Sequence, residues 1–549
     1  MDACRARRSR AGRTWRGAMS SPQGPSPSTA ADVLAAAAAA PGRPFLFSGD
    51  GMMTYGQVES QARDLAASLH HLGIERGERL AILLPGCPEF IVAVFAAARL
   101  GIVVVPLNPR LPPLELRYRL RHSQAVAAVT PEMFEGIDYL QFAEDVLEDL
   151  PELGYVITVG EEDLWYDDQI YQFEDLVSAG RGKECPRPDV APDDLFAILY
   201  TAGTTGKPKG VELTHGNLVV PARQTVAELG VTSADRVIGP SDIFHAFALG
   251  PAILGTANTG ASIVLQESFD GDEALDLIER HGVTVHYGVP THFLTELYEQ
   301  RRMPRDLSSL RCGIVTGGPI GDPALRHVRE ELCPNLQVAY SLTEAGSTLS
   351  MTRVEDPPEK QRFTVGRPLP DASVRVCDSD GSVLPVESLG EIRVRGPGVM
   401  RGYHRQPDNT RRHFDADRFL HTGDMGIVDE DGYLHLVGRQ GDVIIKAGFD
   451  VYPREVESRI ATHPAVRDVV VVGLPDELLG EAVCACVHMI EGAMVSAEEL
   501  RAWCRPSLAT YKVPDRIHFF DEFPATAAGK VGRGELARVL RAEVLRRHG

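Results

Sequence analysis

The chain has 549 residues, more than one hydrophobic core usually organises, and its 44% apolar content is ample for two or more domains. Its 56 basic against 76 acidic residues, a formal net charge of −20, exclude a general binder of nucleic acid or anionic membrane, so any anionic ligand must be met by a local site. Nine cysteines without C-x-x-C spacing exclude a disulfide scaffold and read as reduced thiols of a cytoplasmic protein.

The first 18 residues carry six arginines and one acid, which suits either an organellar transit peptide or a start assigned too early, with Met19 then the first residue. Residues 20–43 are rich in Ser, Pro and Ala and read as a poorly ordered lead-in, with a helix admissible over 31–40. From Tyr55 the pattern alternates. Ala62, Leu65, Ala66, Leu69 and Leu72 recur at helical spacing and stop at Gly73; a strand is predicted over 79–84, a helix over 89–100 and a strand over 102–107. The most apolar window, 90–107, contains Arg99 and Gly101 and breaks into two elements, so no transmembrane segment is expected. The apolar run 195–199 reads as a buried strand. Strands over 261–266, 283–289, 310–316 and 336–340 then alternate with helices over 273–281, 292–300 and 323–332. This is α/β architecture with doubly wound, largely parallel sheets, and ligands are expected at the carboxyl ends of the strands. Residues 372–437 differ: short alternating strands and turn pairs such as Asp431-Gly432 predict a small antiparallel β subdomain. A smaller α/β pattern follows, with the boundary at 438–441.

Just after the run 195–199, the segment from Thr201 to Gly210 packs three hydroxyls, three glycines and two lysines into ten residues. Glycines let backbone N–H groups approach an anion, Thr201, Thr204 and Thr205 can donate to phosphate oxygens, and Lys207 and Lys209 supply charge. The order is not that of a Walker A loop, because Gly203 and Gly206 stand too close and Pro208 follows Lys207. By itself the stretch also admits a duller reading as a Gly/Thr-rich surface turn. Four more segments stand where such a fold places its site: Gly317-Gly318-Pro319, Tyr340-Ser341-Leu342-Thr343-Glu344, His421-Thr422-Gly423-Asp424 and Gly438-Arg439. An aromatic ring can stack on a base, Glu344 can hold Mg²⁺, Asp424 can accept ribose hydroxyls and Arg439 can donate to ribose or phosphate. Taken singly, Tyr340 is more readily a core aromatic, Asp424 a turn former and Glu344 a helix-end charge.

In this joint order, the segments resemble the adenylate-forming superfamily of acyl-CoA synthetases, carrier-protein-loading adenylation domains and luciferases, from about Thr54 to the C-terminus. The resemblance implies a large N-terminal domain over 44–438, containing the β subdomain, and a smaller mobile α/β domain over 439–549, after the lead-in 1–43. It implies that Thr201, Gly203, Thr204, Thr205, Gly206 and Lys209 belong to the phosphate loop. Gly317, Gly318, Pro319, Tyr340, Ser341, Asp424 and Arg439 would line the nucleotide site, with Thr343 and Glu344 in the Y-G-x-T-E segment and Glu344 on the metal. Pro524 to Lys530 matches P-x-T-x-x-G-K, marking Lys530 as the lysine between the reacting carboxylate and the α-phosphate. Gly441 aligns with the hinge, and Lys446 to Gly448 with the thiol tunnel.

The implied activity is that of an ATP-dependent acyl-CoA synthetase using ATP, Mg²⁺ and coenzyme A, with a small carboxylic acid as partner, no nucleic acid, and a monomeric or homodimeric state. A carrier-protein-loading ligase and a catalytically idle nucleotide-binding protein are the alternatives. Phe244-His245 stands where amino-acid-activating relatives carry Phe-Asp; His245, placed with the catalytic set, cannot replace a carboxylate that pairs with an ammonium, so the acid is expected to lack an α-amine. Ala246, Ala248 and Gly250 nearby suit a fatty or aryl acid. Ser341 replaces the glycine of Y-G-x-T-E, and Ala202 a serine of the loop.

Overall fold

The computed structural model describes residues 14–16, 27–160, 169–201, 208–447, 449–476, 478–490, 492–523 and 533–548. Among these, two large sheets share one continuous apolar core. The eight-stranded sheet runs, edge to edge, Ile170–Gln172, Tyr155–Val159, Ala125–Pro131, Arg79–Ile82, Val103–Pro106, Leu195–Thr201, Lys209–Thr214 and Gly402–Tyr403. The nine-stranded sheet runs Arg367–Pro368, Ser347–Met351, Leu336–Leu342, Cys312–Val315, Val285–Gly288, Arg236–Ile238, Ser262–Leu265, Pro44–Ser48 and Gly51–Thr54. The central strands pair in parallel, as the alternation of elements predicts. Antiparallel strands complete both edges of the nine-stranded sheet and one edge of the eight-stranded sheet. Short connections make hairpins of Leu195–Thr201 with Lys209–Thr214, Leu336–Leu342 with Ser347–Met351 and Pro44–Ser48 with Gly51–Thr54. The remaining edge strand, Ile170–Gln172, is parallel to Tyr155–Val159. Burial on both faces explains continuous apolar strands such as Val103–Pro106, all of whose residues are buried.

Local signals set the helices between them. Thr54 and Gln57 form a reciprocal capping box at the start of Tyr55–His71, which buries Val58, Leu65 and Leu69 against the helix Pro88–Leu100. Within the composition-biased lead-in, Ala30–Ala37 is a helix capped by the Thr29 side chain, with Val33 and Leu34 fully packed in the core. Farther upstream, Trp15–Arg16 pairs with Ser373–Cys377, and the Trp15 ring lies over Gly432.

The third sheet is the expected antiparallel subdomain, built from Trp15–Arg16, Ser373–Cys377, Gly390–Arg395, Leu420–Val428 and Leu434–Arg439. Beyond it, Ile444–Lys446, Phe449–Val451, Val466–Asp476, Gly480–Met489 and Arg516–Phe520 form a separate sheet, which packs with Pro453–Ile460, Ala497–Cys504 and Arg533–His548 around apolar clusters of its own. No helix among the described residues is long and apolar enough to cross a membrane.

Candidate active site

Three sheets deliver their strand ends to one region. The glycine-rich segment joins two antiparallel strands, Leu195–Thr201 and Lys209–Thr214, so that Thr201 and Lys209 face each other as a cross-strand pair. The two strands that flank the segment therefore form an antiparallel hairpin. Gly203, Thr204, Thr205 and Gly206 lie outside the described residues, as do Gly448 and Lys530. At the root of the hairpin the Thr201 hydroxyl is buried without a hydrogen-bond partner among the described residues.

Lys209 and Glu344 converge on Tyr403, a residue that sequence reasoning missed. The Lys209 ammonium donates to the Tyr403 hydroxyl at 3.1 Å, which in turn donates to Glu344 Oε1 at 3.1 Å. The ammonium also lies 4.3 Å from the centre of the Tyr403 ring. Burial lowers the Lys209 pKa, with the Glu344 charge opposing that shift. Burial also raises the Tyr403 phenol, helped by Glu344, so the phenol stays protonated and able to donate. The available signal for Tyr403 was the Gly402-Tyr403 pair at the edge of the sheet, too short to register as a strand by periodicity.

Glu344 lies in the single turn Thr343–Ala345 that follows Leu336–Leu342. Gly346 closes this turn at φ +68°, where an added Cβ would sit 2.1 Å from the Asn217 carbonyl, so a side chain is excluded on both counts. The Glu344 carbonyl accepts from the Met400 N–H at 2.9 Å, tying the turn to the segment that leads to Tyr403.

On the other side, Asp424 and Arg439 are opposed across neighbouring strands of the β subdomain, and Arg439 Nε donates to Asp424 Oδ1 at 2.8 Å. The Tyr340 hydroxyl donates to Asp424 Oδ2 at 2.5 Å. Asp424 holds the Arg439 guanidinium above its ordinary pKa, and burial does the same for the Tyr340 phenol. Thr422 orients the turn, its hydroxyl accepting from the Asp424 N–H at 3.0 Å and donating to the Ile392 carbonyl at 2.6 Å.

Gly317, Gly318 and Pro319 follow Cys312–Val315 as an exposed turn. Behind them the Thr316 hydroxyl donates to the Ala339 carbonyl at 2.9 Å and, 3.0 Å away, accepts from the Ser341 hydroxyl. The hydroxyl that distinguishes Ser341 from a glycine is thus held by a specific neighbour. His245 is half-buried beside Phe244 and leads into Ala248–Gly255, a wide π-type helix that contains Pro251 and is buried throughout. Gly441 lies in the turn Gln440–Asp442, and a Cβ there would meet nothing within 4 Å. This conformation therefore does not itself require glycine. Lys446 is buried and paired with Asp515 at 2.6 Å. Arg533, at the start of the last helix, donates to Glu457 at 2.5 Å and lies 3.6 Å from Asp442.

Residues 33–404 match the AMP-binding enzyme family, and residues 455–530 match the AMP-binding enzyme C-terminal domain. A feruloyl-CoA synthase of Amycolatopsis is 35% identical over 492 residues, which cover 89% of this chain and 94% of that protein. The ATP-bound structure of MatB from Rhodopseudomonas palustris superposes with a TM-score of 0.84 at 29% identity, covering 93% of this chain and 99% of that one. An anthranilate CoA ligase, AuaEII, in complex with anthranoyl-AMP superposes with a TM-score of 0.86 at 26% identity over 94% and 98% of the two chains. The chain therefore belongs to the AMP-binding enzyme family, within the adenylate-forming superfamily of acyl-CoA synthetases and CoA ligases.

Proposed function

We propose that this chain is an ATP-dependent acyl-CoA synthetase that activates a fatty or aryl acid lacking an α-amine. The observation that carries this reading is the convergence of Lys209–Tyr403–Glu344 with Tyr340–Asp424–Arg439 beside a buried Thr201 hydroxyl that has no hydrogen-bond partner among the described residues. Thr201, Lys209 and the glycines and threonines of 203–206 hold the β- and γ-phosphates; Asp424 accepts from the ribose; Arg439 and the 317–319 turn border the nucleotide. An acid oxygen attacks the α-phosphorus and pyrophosphate leaves, with Lys530 stabilising the crowded oxygens. The coenzyme A thiol then attacks the carbonyl of the mixed anhydride, and AMP leaves. Both nucleophiles belong to substrates, so the protein's part is positioning and charge stabilisation. Glu344 is a carboxylate set among phosphate-binding groups, which fits a hard cation; it would hold Mg²⁺, which offsets phosphate charge when bound.

The chain divides after Gly438, and rotation about Gly441 exchanges Lys530 for the thiol path near Gly448, the backbone freedom of a glycine suiting a hinge there. His245, Ala246 and Ala248 border the acyl side. We also propose a cytoplasmic location and a monomeric or homodimeric state. Pyrophosphate release, screened over aliphatic and aromatic acids with and without coenzyme A, tests the reading. Acid-dependent release of pyrophosphate and AMP with thioester formation supports it. Thioester formation only on a phosphopantetheinyl protein would reassign the acceptor, and no acid-dependent release would reject the activity.

A further inference from the structure

We propose that Tyr403 is a positioning residue that holds Lys209 and Glu344 apart, keeping the ammonium available to the phosphates before nucleotide arrives. The inference rests on the reading of Lys209 as a phosphate ligand. The hydrogen-bond order through Tyr403 is forced by chemistry. An ammonium only donates, a carboxylate only accepts, and a phenol can accept from one while donating to the other. Both legs are 3.1 Å, so the hydroxyl stands between two opposite charges that would otherwise attract each other directly.

The hydroxyl is fixed by the same β ladder that carries Lys209. Tyr403 pairs with Val211 on the strand Lys209–Thr214, and the neighbouring His404 N–H donates to the Gly210 carbonyl at 2.7 Å. The Tyr403 N–H donates to the Thr410 hydroxyl at 2.8 Å, its ring meets the His413 edge at 5.0 Å, and the residue is 4% exposed. Neither the backbone nor the ring is free to follow the charges. Lys209, by contrast, has a flexible four-carbon stem. Remove the oxygen, and the ammonium can swing onto Glu344, a contact that incoming phosphate must then break.

The test is calorimetric titration of the full-length protein with ATP in the absence of metal, comparing wild type, Tyr403→Phe, Glu344→Gln and the double variant. Metal-free ATP removes any effect of Glu344 through a cation. Tyr403→Phe is expected to weaken ATP binding about tenfold on the wild-type background, the size of one charge-assisted hydrogen bond, and less than about twofold when Glu344 is already glutamine. An equal loss on both backgrounds, or no loss on either, overturns the proposal. Tyr403→Leu also removes the bridge and is read in the same way. A crystal structure of nucleotide-free Tyr403→Phe gives a second readout: Lys209 Nζ is expected about 3 Å from the Glu344 carboxylate, and an ammonium left in its original place overturns the proposal. Failure of the wild-type protein to bind ATP would sink the phosphate-ligand reading, and the crystal structure would still decide whether Tyr403 separates the charges.

Discussion

Asp424→Asn removes the charge of one buried carboxylate with almost no change in shape, and turns one of its two acceptor oxygens into an NH2 donor. Asp424 is 7% exposed and accepts from Tyr340 and Arg439, one bond on each oxygen. A carboxylate has about four lone-pair sites, so about two remain for the ribose hydroxyls. Hydrogen bonds to a charged acceptor contribute about 1.5–3 kcal/mol and neutral ones about 1 kcal/mol. Neutralising the acceptor of two ribose bonds therefore costs about 2 kcal/mol, or about 30-fold in Kd for ATP. The nucleotide-free fold loses far less, because the Arg439 side chain is 60% exposed and its ion pair is screened by water. Calorimetry should show the affinity loss with only a small change in Tm. Wild-type protein is expected to bind 2′-deoxy-ATP about tenfold more weakly than ATP, and Asp424→Asn should shrink that gap to about twofold. An unchanged gap, or a collapse of Tm without selective loss of ATP binding, would refute the ribose assignment.

Lys530→Ala is expected to slow acyl-AMP formation by on the order of 10² or more, as for other preorganised donors; near-normal pyrophosphate release would remove Lys530 from the reaction. Ser341→Gly deletes a hydroxyl that donates to Thr316 and clears a Cβ, so kcat/KM should rise more for long acids than for short ones, and an unaltered chain-length profile counts against Ser341 as a pocket wall. Burial pushes the His215 imidazole down to about 4, and its Nδ1 accepts from the Ala30 N–H at 3.2 Å. Because the folded pKa lies below the ordinary value, this contribution is complete above about pH 6.5 and is lost as pH falls through about 4, amounting to roughly 3 kcal/mol. Protection factors over Ala30–Ala37, corrected for the intrinsic pH dependence of amide exchange, should therefore fall across that interval, and protection factors that stay constant would contradict the coupling.

The central strands and helices were legible because their periods and stops are local. Gly73 and Gly101 end the helices they follow, and the apolar run 195–199 lies within the observed strand. The antiparallel hairpin around 202–207 was less legible, because pairing direction depends on where the next strand docks. The docking of Ala30–Ala37 was hidden for a related reason. A run of alanines is permissive for helix in any setting, and only the buried contacts of Val33 and Leu34 hold this one against the core.

By itself, the sequence determined which chemical groups were present and in what order: the glycine-threonine turn, Tyr340 to Glu344, Asp424, Arg439 and Lys530. Their types and spacing reflect demands that any adenylate-binding surface makes on donors, acceptors and charge. Only the tertiary structure decided who faces whom. Asp424 meets Tyr340 across 84 positions of chain and Lys209 meets Tyr403 across 194, distances at which no periodicity survives. Tyr403 stayed invisible for that reason: its place between an ammonium and a carboxylate follows from the register of a two-residue edge strand, a property of the folded sheet and not of the residues beside it in the chain.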